Sequence, residues 1–84
     1  MTSISMILYV KAGCPWCRLA EEYLNKRGYK YERTDVRVDP AAIAELERIS
    51  GQSNTPTLVI GDLVLPDFEL DELEDFLKQH NILP

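Results

Sequence analysis

Residues 8–19 read Leu8-Tyr9-Val10-Lys11-Ala12-Gly13-Cys14-Pro15-Trp16-Cys17-Arg18-Leu19, and this stretch decides the fold. Upstream, Ile4 to Val10 is nearly all apolar and rich in strand formers, which predicts a central strand buried on both faces. Ala12-Gly13-Cys14-Pro15 breaks that run. Pro15 suits the first position of a helix, where its missing N–H would have no partner anyway. From Cys17 to Lys26, Cys17, Ala20 and Leu24 share one helical face with Leu19 and Tyr23 beside them, and Gly28 is a natural stop.

Working outward, Tyr29 to Val38 predicts a second strand. Asp39-Pro40 supplies an N-cap and a first-turn proline for a second helix. Its apolar face is Ala42, Leu46 and Ile49, with Ile43 adjacent, and Gly51 ends it. Gln52-Ser53-Asn54 is a polar loop. Thr57 to Ile60 and Leu63 to Leu65 are short strands about a Gly61-Asp62 turn. Leu70, Leu73 and Leu77, with Phe76, give the stripe of a last helix; Asp67 is read as its cap, against the alternative of a ligand contact. Acidic residues crowd its first turns, where the helix dipole favours them. The order β-α-β-α-β-β-α implies an α/β fold, a four-stranded mixed sheet with three helices. Two βαβ connections imply parallel strands, and the hairpin adds an antiparallel edge. Short connections and the absence of repeats or linkers indicate one domain over residues 1–84.

The 84 residues carry a net charge of −5, which argues against nucleic acid as a partner. Residues 1–38 sum to +3 and residues 39–84 to −8, so the basic half contains both cysteines. A mild positive field there favours a thiolate and an acidic partner; the plainer alternative is that charged helices simply face water. No apolar run is long enough to span a bilayer, and the N-terminus lacks the pattern of a signal peptide, so a cytoplasmic monomer is expected.

Two cysteines make neither a secreted disulfide framework nor, unaided, a four-ligand zinc site. Three-residue spacing on a helix brings their Cβ atoms to about 5–6 Å, within easy reach of a disulfide. Cys14, at the helix start, faces free N–H groups and the positive dipole end, which stabilise a thiolate. Cys17 lies inside the first turn on the core side and is expected to be more shielded. Cys14 is therefore the expected nucleophile and Cys17 the resolving thiol. Trp16, at the exposed turn, is read as a hydrophobic lip for substrate, against the alternative of packing on the next loop. Competing readings of the pair are buried structural cysteines, or half of a metal site shared across a dimer; we expect redox chemistry and no metal.

Lys11-Ala12-Gly13-Cys14-Pro15-Trp16-Cys17 resembles the active-site segment of glutaredoxins, in which a lysine precedes Cys-Pro-aromatic-Cys. The likeness runs from about Met6 to Leu70 and implies a thioredoxin-like fold. It implies a thiol–disulfide oxidoreductase acting on protein or glutathione mixed disulfides, with glutathione as co-substrate and no tightly bound cofactor. By the resemblance Pro56 is a cis-proline facing the cysteines, the backbone of Thr55 pairs with an extended substrate, and Lys11 meets a glutathione carboxylate. Several family positions differ. Thr-Val before the proline is Asn54-Thr55, Gly-Gly is Pro66-Asp67, the Cys/Ser is Phe68, and the Asp that holds the glutathione amino group is Glu69. A second-helix position that is often a polar glutathione contact is Ile43. With glycine replaced and Phe68 adding bulk, the cysteine chemistry is expected to carry over better than the glutathione pocket. A glutaredoxin-shaped thioredoxin recharged by thioredoxin reductase is the alternative enzyme. A metal- or partner-binding module without turnover is the alternative outside catalysis. His80 is read as a solvated helix end.

Overall fold

The computed structural model describes residues 5–84, so the expected start of the first strand at Ile4 lies outside the described residues. Seven elements follow the expected order: β1 (Met6–Val10), α1 (Pro15–Lys26), β2 (Glu32–Asp35), α2 (Pro40–Ser50), β3 (Thr57–Ile60), β4 (Leu63–Leu65) and α3 (Leu70–Gln79). They build one four-stranded sheet in the order β2-β1-β3-β4.

Strand direction corrects one expectation. β1 and β2 are parallel, but β3 runs antiparallel to β1, so only the first connection is a βαβ crossover. The pairing shows why. β2 ends with Asp35 opposite Val10, and β3 begins with Thr57 opposite Tyr9, at the same end of the sheet. Helix α2 therefore crosses the sheet face, reaching β4, without carrying the chain back to the far end.

The alternation of β1 sorts the core into two layers. Met6, Leu8 and Val10 pack with Cys17, Ala20 and Leu24 of α1 and with Leu73 and Leu77 of α3. Tyr9 packs on the other face with Val36, Val59, Ala42 and Leu46. Helices α1 and α3 thus cover one face and α2 the other. Among the described residues no helix is long and apolar enough to cross a membrane.

Three local features sharpen the picture. Strand β2 is shorter than the expected Tyr29–Val38. At one end the Tyr29 hydroxyl donates to the carbonyl of Ile82 at 2.6 Å, and at the other Asp35 Oδ1 accepts the Arg37 N–H at 2.9 Å and turns the chain. Helix α2 starts as expected, with Asp39 Oδ1 accepting the Ala41 N–H at 3.1 Å, and ends at Gly51 with φ 76°. Helix α3 is capped by Glu69, not Asp67: the Glu69 N–H donates to Glu72 Oε1 at 2.8 Å. Asp67 lies two residues too early and takes a left-handed φ of 48° instead.

Candidate functional site

The loop between β1 and α1 reverses tightly. The Cys14 N–H donates to the Lys11 carbonyl at 3.1 Å, and Gly13 takes φ 83°, a conformation that glycine adopts without steric cost. The turn leaves Cys14 at the N-cap and Pro15 at the first helical position. Cys14 Sγ does what an N-cap oxygen normally does, accepting the Cys17 N–H at 3.3 Å. Cys17, one turn on, is 2% exposed in the core between α1 and the sheet. Both thiols are free.

The loop before β3 completes the setting. The Thr55–Pro56 bond is cis, as expected, and Pro56 is buried. Both the carbonyl and the hydroxyl of Thr55 lie 3.9 Å from Cys14 Sγ. The hydroxyl can donate to a thiolate, and the carbonyl can accept from a thiol.

These surroundings push the two sulfurs apart. Partial burial works against the Cys14 thiolate, but hydrogen bonds from the Cys17 thiol, the Cys17 N–H, the Thr55 hydroxyl and the Trp16 N–H outweigh it and lower the Cys14 pKa. Burial raises Cys17, and hydrogen bonding to Cys14 raises it further, to about 11. The pair is thus unequal: Cys14 gives up its proton more readily than an ordinary thiol, and Cys17 holds its proton more tightly.

Of the other expected site residues, Lys11 lines a cleft of about 420 Å³ that both cysteines also border. Trp16 is half exposed and lies on the opposite flank, in a recess shared with Glu69, Leu70, Asp71 and Glu74. Lys11 and Glu69 therefore stand in different recesses. Asn54 is exposed, with its side-chain amide 3.5 Å from an Asp67 carboxylate oxygen. Ile43 is on the surface. His80 ends α3 with its ring against Phe76, centroids 4.8 Å apart.

Phe68 corrects another expectation. Instead of crowding the site it is 2% exposed within the core cluster, its N–H donating to the Pro56 carbonyl at 3.2 Å. Thr57, read from the sequence only as the start of a strand, is wholly buried and bonded to Gln52, Asn54 and Asp67. Arg18, Glu21 and Arg33 line the cleft with Lys11; the basic bias of residues 1–38 hinted at the two arginines, and nothing pointed to Glu21.

The family model for glutaredoxins matches residues 6–65. A glutaredoxin of Neisseria meningitidis is 33% identical over 60 residues, spanning 69% of each chain. Among solved structures, a thioredoxin-like protein superposes with a TM-score of 0.79 at 32% identity, covering 87% of this chain and all of that one. The glutaredoxin-like NrdH-redoxin of Escherichia coli, described as having a thioredoxin-like activity profile, gives a TM-score of 0.72 at 25% identity, covering 95% and 96% of the two chains.

Proposed function

The chain belongs to the glutaredoxin family of thiol–disulfide oxidoreductases, and on that premise we propose that it reduces disulfides of protein substrates through a Cys14/Cys17 dithiol. The observation that carries this reading is Cys14 Sγ seated at the helix N-cap, accepting the Cys17 N–H at 3.3 Å beside Thr55.

The Cys14 thiolate attacks one sulfur of the substrate disulfide, and the other sulfur leaves as a thiolate that takes up a proton. Cys17 then loses its proton and attacks Cys14 Sγ, which expels the second substrate thiolate. The products are a reduced substrate and a Cys14–Cys17 disulfide; two electrons have moved to the substrate. The first step prepares the second. Hydrogen bonding to Cys14 and its charge both help hold the Cys17 proton. Once Cys14 is in a mixed disulfide neither effect remains, so Cys17 becomes more acidic when its attack is required. Trp16 and the Thr55 backbone flank the bound substrate.

Glutathione enters as a co-substrate and not as a bound cofactor. Lys11 would meet a carboxylate, Asn54 and Thr55 the backbone, and Glu69 the ammonium group. Lys11 and Glu69 border different recesses, and Asp67 adds a carboxylate next to Asn54, so weak use of glutathione is the expected outcome. Recharging by a thioredoxin reductase is the second reading, favoured by the likeness to NrdH-redoxin and its thioredoxin-like activity profile. A lone pair of close cysteines, too few for a secreted disulfide framework, suits a reducing, cytoplasmic setting. One turnover assay, run with glutathione plus its reductase and again with thioredoxin reductase, tests the scheme. Reduction of a protein disulfide with at least one of them is expected. Faster recharging by thioredoxin reductase selects the second reading, and no reduction with either refutes both.

A further inference from the structure

The two flanks of the Cys14–Trp16 tip carry opposite charge. On the β2 side the cleft beside both cysteines is lined by Lys11, Arg18 and Arg33, with Glu21 as its one carboxylate. On the other side Trp16 borders Glu69, Asp71 and Glu74.

Glu21 is already committed. Its Oε2 accepts Arg33 Nε at 3.0 Å and its Oε1 accepts the Tyr31 hydroxyl at 3.1 Å. The contact uses only Nε of Arg33, so its remaining guanidinium donors have no protein partner among the described residues. They form the fork that suits a carboxylate. Arg18 is only loosely engaged, 3.9 Å from Glu22, with both side chains well exposed. The cleft therefore holds more cationic donors than its own carboxylate uses, at the sulfur that attacks.

We propose that this cleft docks an acidic segment of a protein substrate, with Asp or Glu side chains lying beside the disulfide that Cys14 attacks. The proposal rests on the oxidoreductase reading and names its substrate class. A peptide carboxylate suits the cleft better than glutathione does. Glutathione must also place an ammonium group, and Glu21 is occupied by Arg33 and Tyr31. The acid must also be local. The chain's net charge of −5 repels a uniformly acidic partner, so the carboxylates belong on the side of the cystine that faces β2.

The test is single turnover of the reduced protein with peptides dimerised through one cysteine. Two peptides carry an Asp pair, one before the cysteine and one after it; the third carries Asn in place of both pairs. One of the Asp peptides should react about three to ten times faster than the Asn peptide, the size expected of a few exposed charge contacts. That gain should shrink in Arg18→Glu or in Arg33→Gln. Arg18 engages only Glu22, at 3.9 Å and on the surface, so its variant keeps the comparison valid even if loss of Arg33 disturbs Tyr31 through Glu21. Equal rates for Asp and Asn peptides, or a gain unchanged in both variants, overturns the proposal. So does a rate with oxidised glutathione that falls as steeply as the Asp-peptide rate in the same variants, because the cleft would then be a glutathione site. Failure of the wild type to reduce any of the three peptides is a separate result: it sinks the oxidoreductase reading, and this one with it.

Discussion

The buried hydroxyl of Thr57 accepts the backbone N–H of Asp67 at 3.3 Å and donates to the Asn54 carbonyl at 2.8 Å. The Gln52 side-chain amide reaches the same oxygen at 3.2 Å. One side chain thus ties the loop beside Cys14 to the segment that enters α3. Thr57→Val keeps the shape but strands these groups. It should lower stability by about 0.5–1.5 kcal/mol, the net worth of hydrogen bonds whose partners are only part-buried. Thr57→Ser should lose less. Urea unfolding of the three proteins measures both; a Val variant as stable as wild type would mean that water replaces the hydroxyl.

Cys14 should be the thiol that reacts. Cys14→Ser is expected to abolish disulfide reduction, while Cys17→Ser should still form a mixed disulfide at Cys14. Iodoacetamide labelling of the reduced protein should begin at Cys14, at a lower pH than an ordinary thiol needs, and reach buried Cys17 only at higher pH. Mass mapping of the labelled site decides it. Faster labelling of Cys17 at neutral pH would reverse the roles assigned here.

The elements around the cysteines were legible because each carries a local signal. Pro15 and Asp39-Pro40 mark helix starts, Gly51 a helix end, and the apolar stripes mark their faces. The direction of β3 was not legible, because a helix between two strands usually implies a parallel return, and only pairing across the sheet reveals that α2 crosses its face. Phe68 looked like an obstruction because its neighbours align with a glycine-rich segment. It is buried instead among residues of β1, β3, α1 and α3, a tertiary setting that no local pattern encodes. The cleft was illegible for the same reason: Arg33 and Glu21 meet through a tertiary contact between β2 and α1.

Alkaline pH should expose the burial of Cys17. Its folded pKa, raised by burial to about 11, lies above the value of about 8.5 expected in the unfolded chain. The folded state therefore holds this proton more tightly. The resulting stabilisation is complete below about pH 8.5 and is lost as pH climbs through 11. Cys14, with a lowered folded pKa, has the opposite sign: its contribution is present above the unfolded thiol range and is lost as pH falls through the folded value. Tyr31, raised by burial and by Glu21 to about 12, adds a loss that begins near the ordinary tyrosine pKa of about 10 and runs to about 12. Thermal melts of the reduced protein should fall more steeply between pH 8.5 and 11 than those of Cys17→Ser, which has no thiol to ionise there. Parallel curves would place Cys17 in contact with solvent.

Asp67 occupies a position where glutaredoxins carry glycine, and it keeps a glycine-like backbone, with φ 48°. A left-handed L residue costs on the order of 1–3 kcal/mol, with Asp among the most tolerant. Asp67→Gly relieves that strain but frees the unfolded chain, an opposing effect of about 0.4–1 kcal/mol. With Asp taken at the low end of that strain, about 1 kcal/mol, the net change in stability should stay within about 1 kcal/mol. Asp67→Val, β-branched at the same φ, should lose more than about 1 kcal/mol. The functional effect should be the larger one. Asp67→Gly removes a carboxylate 3.5 Å from the Asn54 amide and leaves that amide free to meet a ligand. Its neighbour Thr55 already borders Cys14 Sγ. In a Cys17→Ser background, Asp67→Gly should therefore form the Cys14 mixed disulfide with oxidised glutathione several times faster than the protein that keeps Asp67, as followed by mass spectrometry at short times. Equal rates would show that Asp67 does not limit access of glutathione to Cys14, and the weakness of that pocket would then rest on the separation of Lys11 from Glu69.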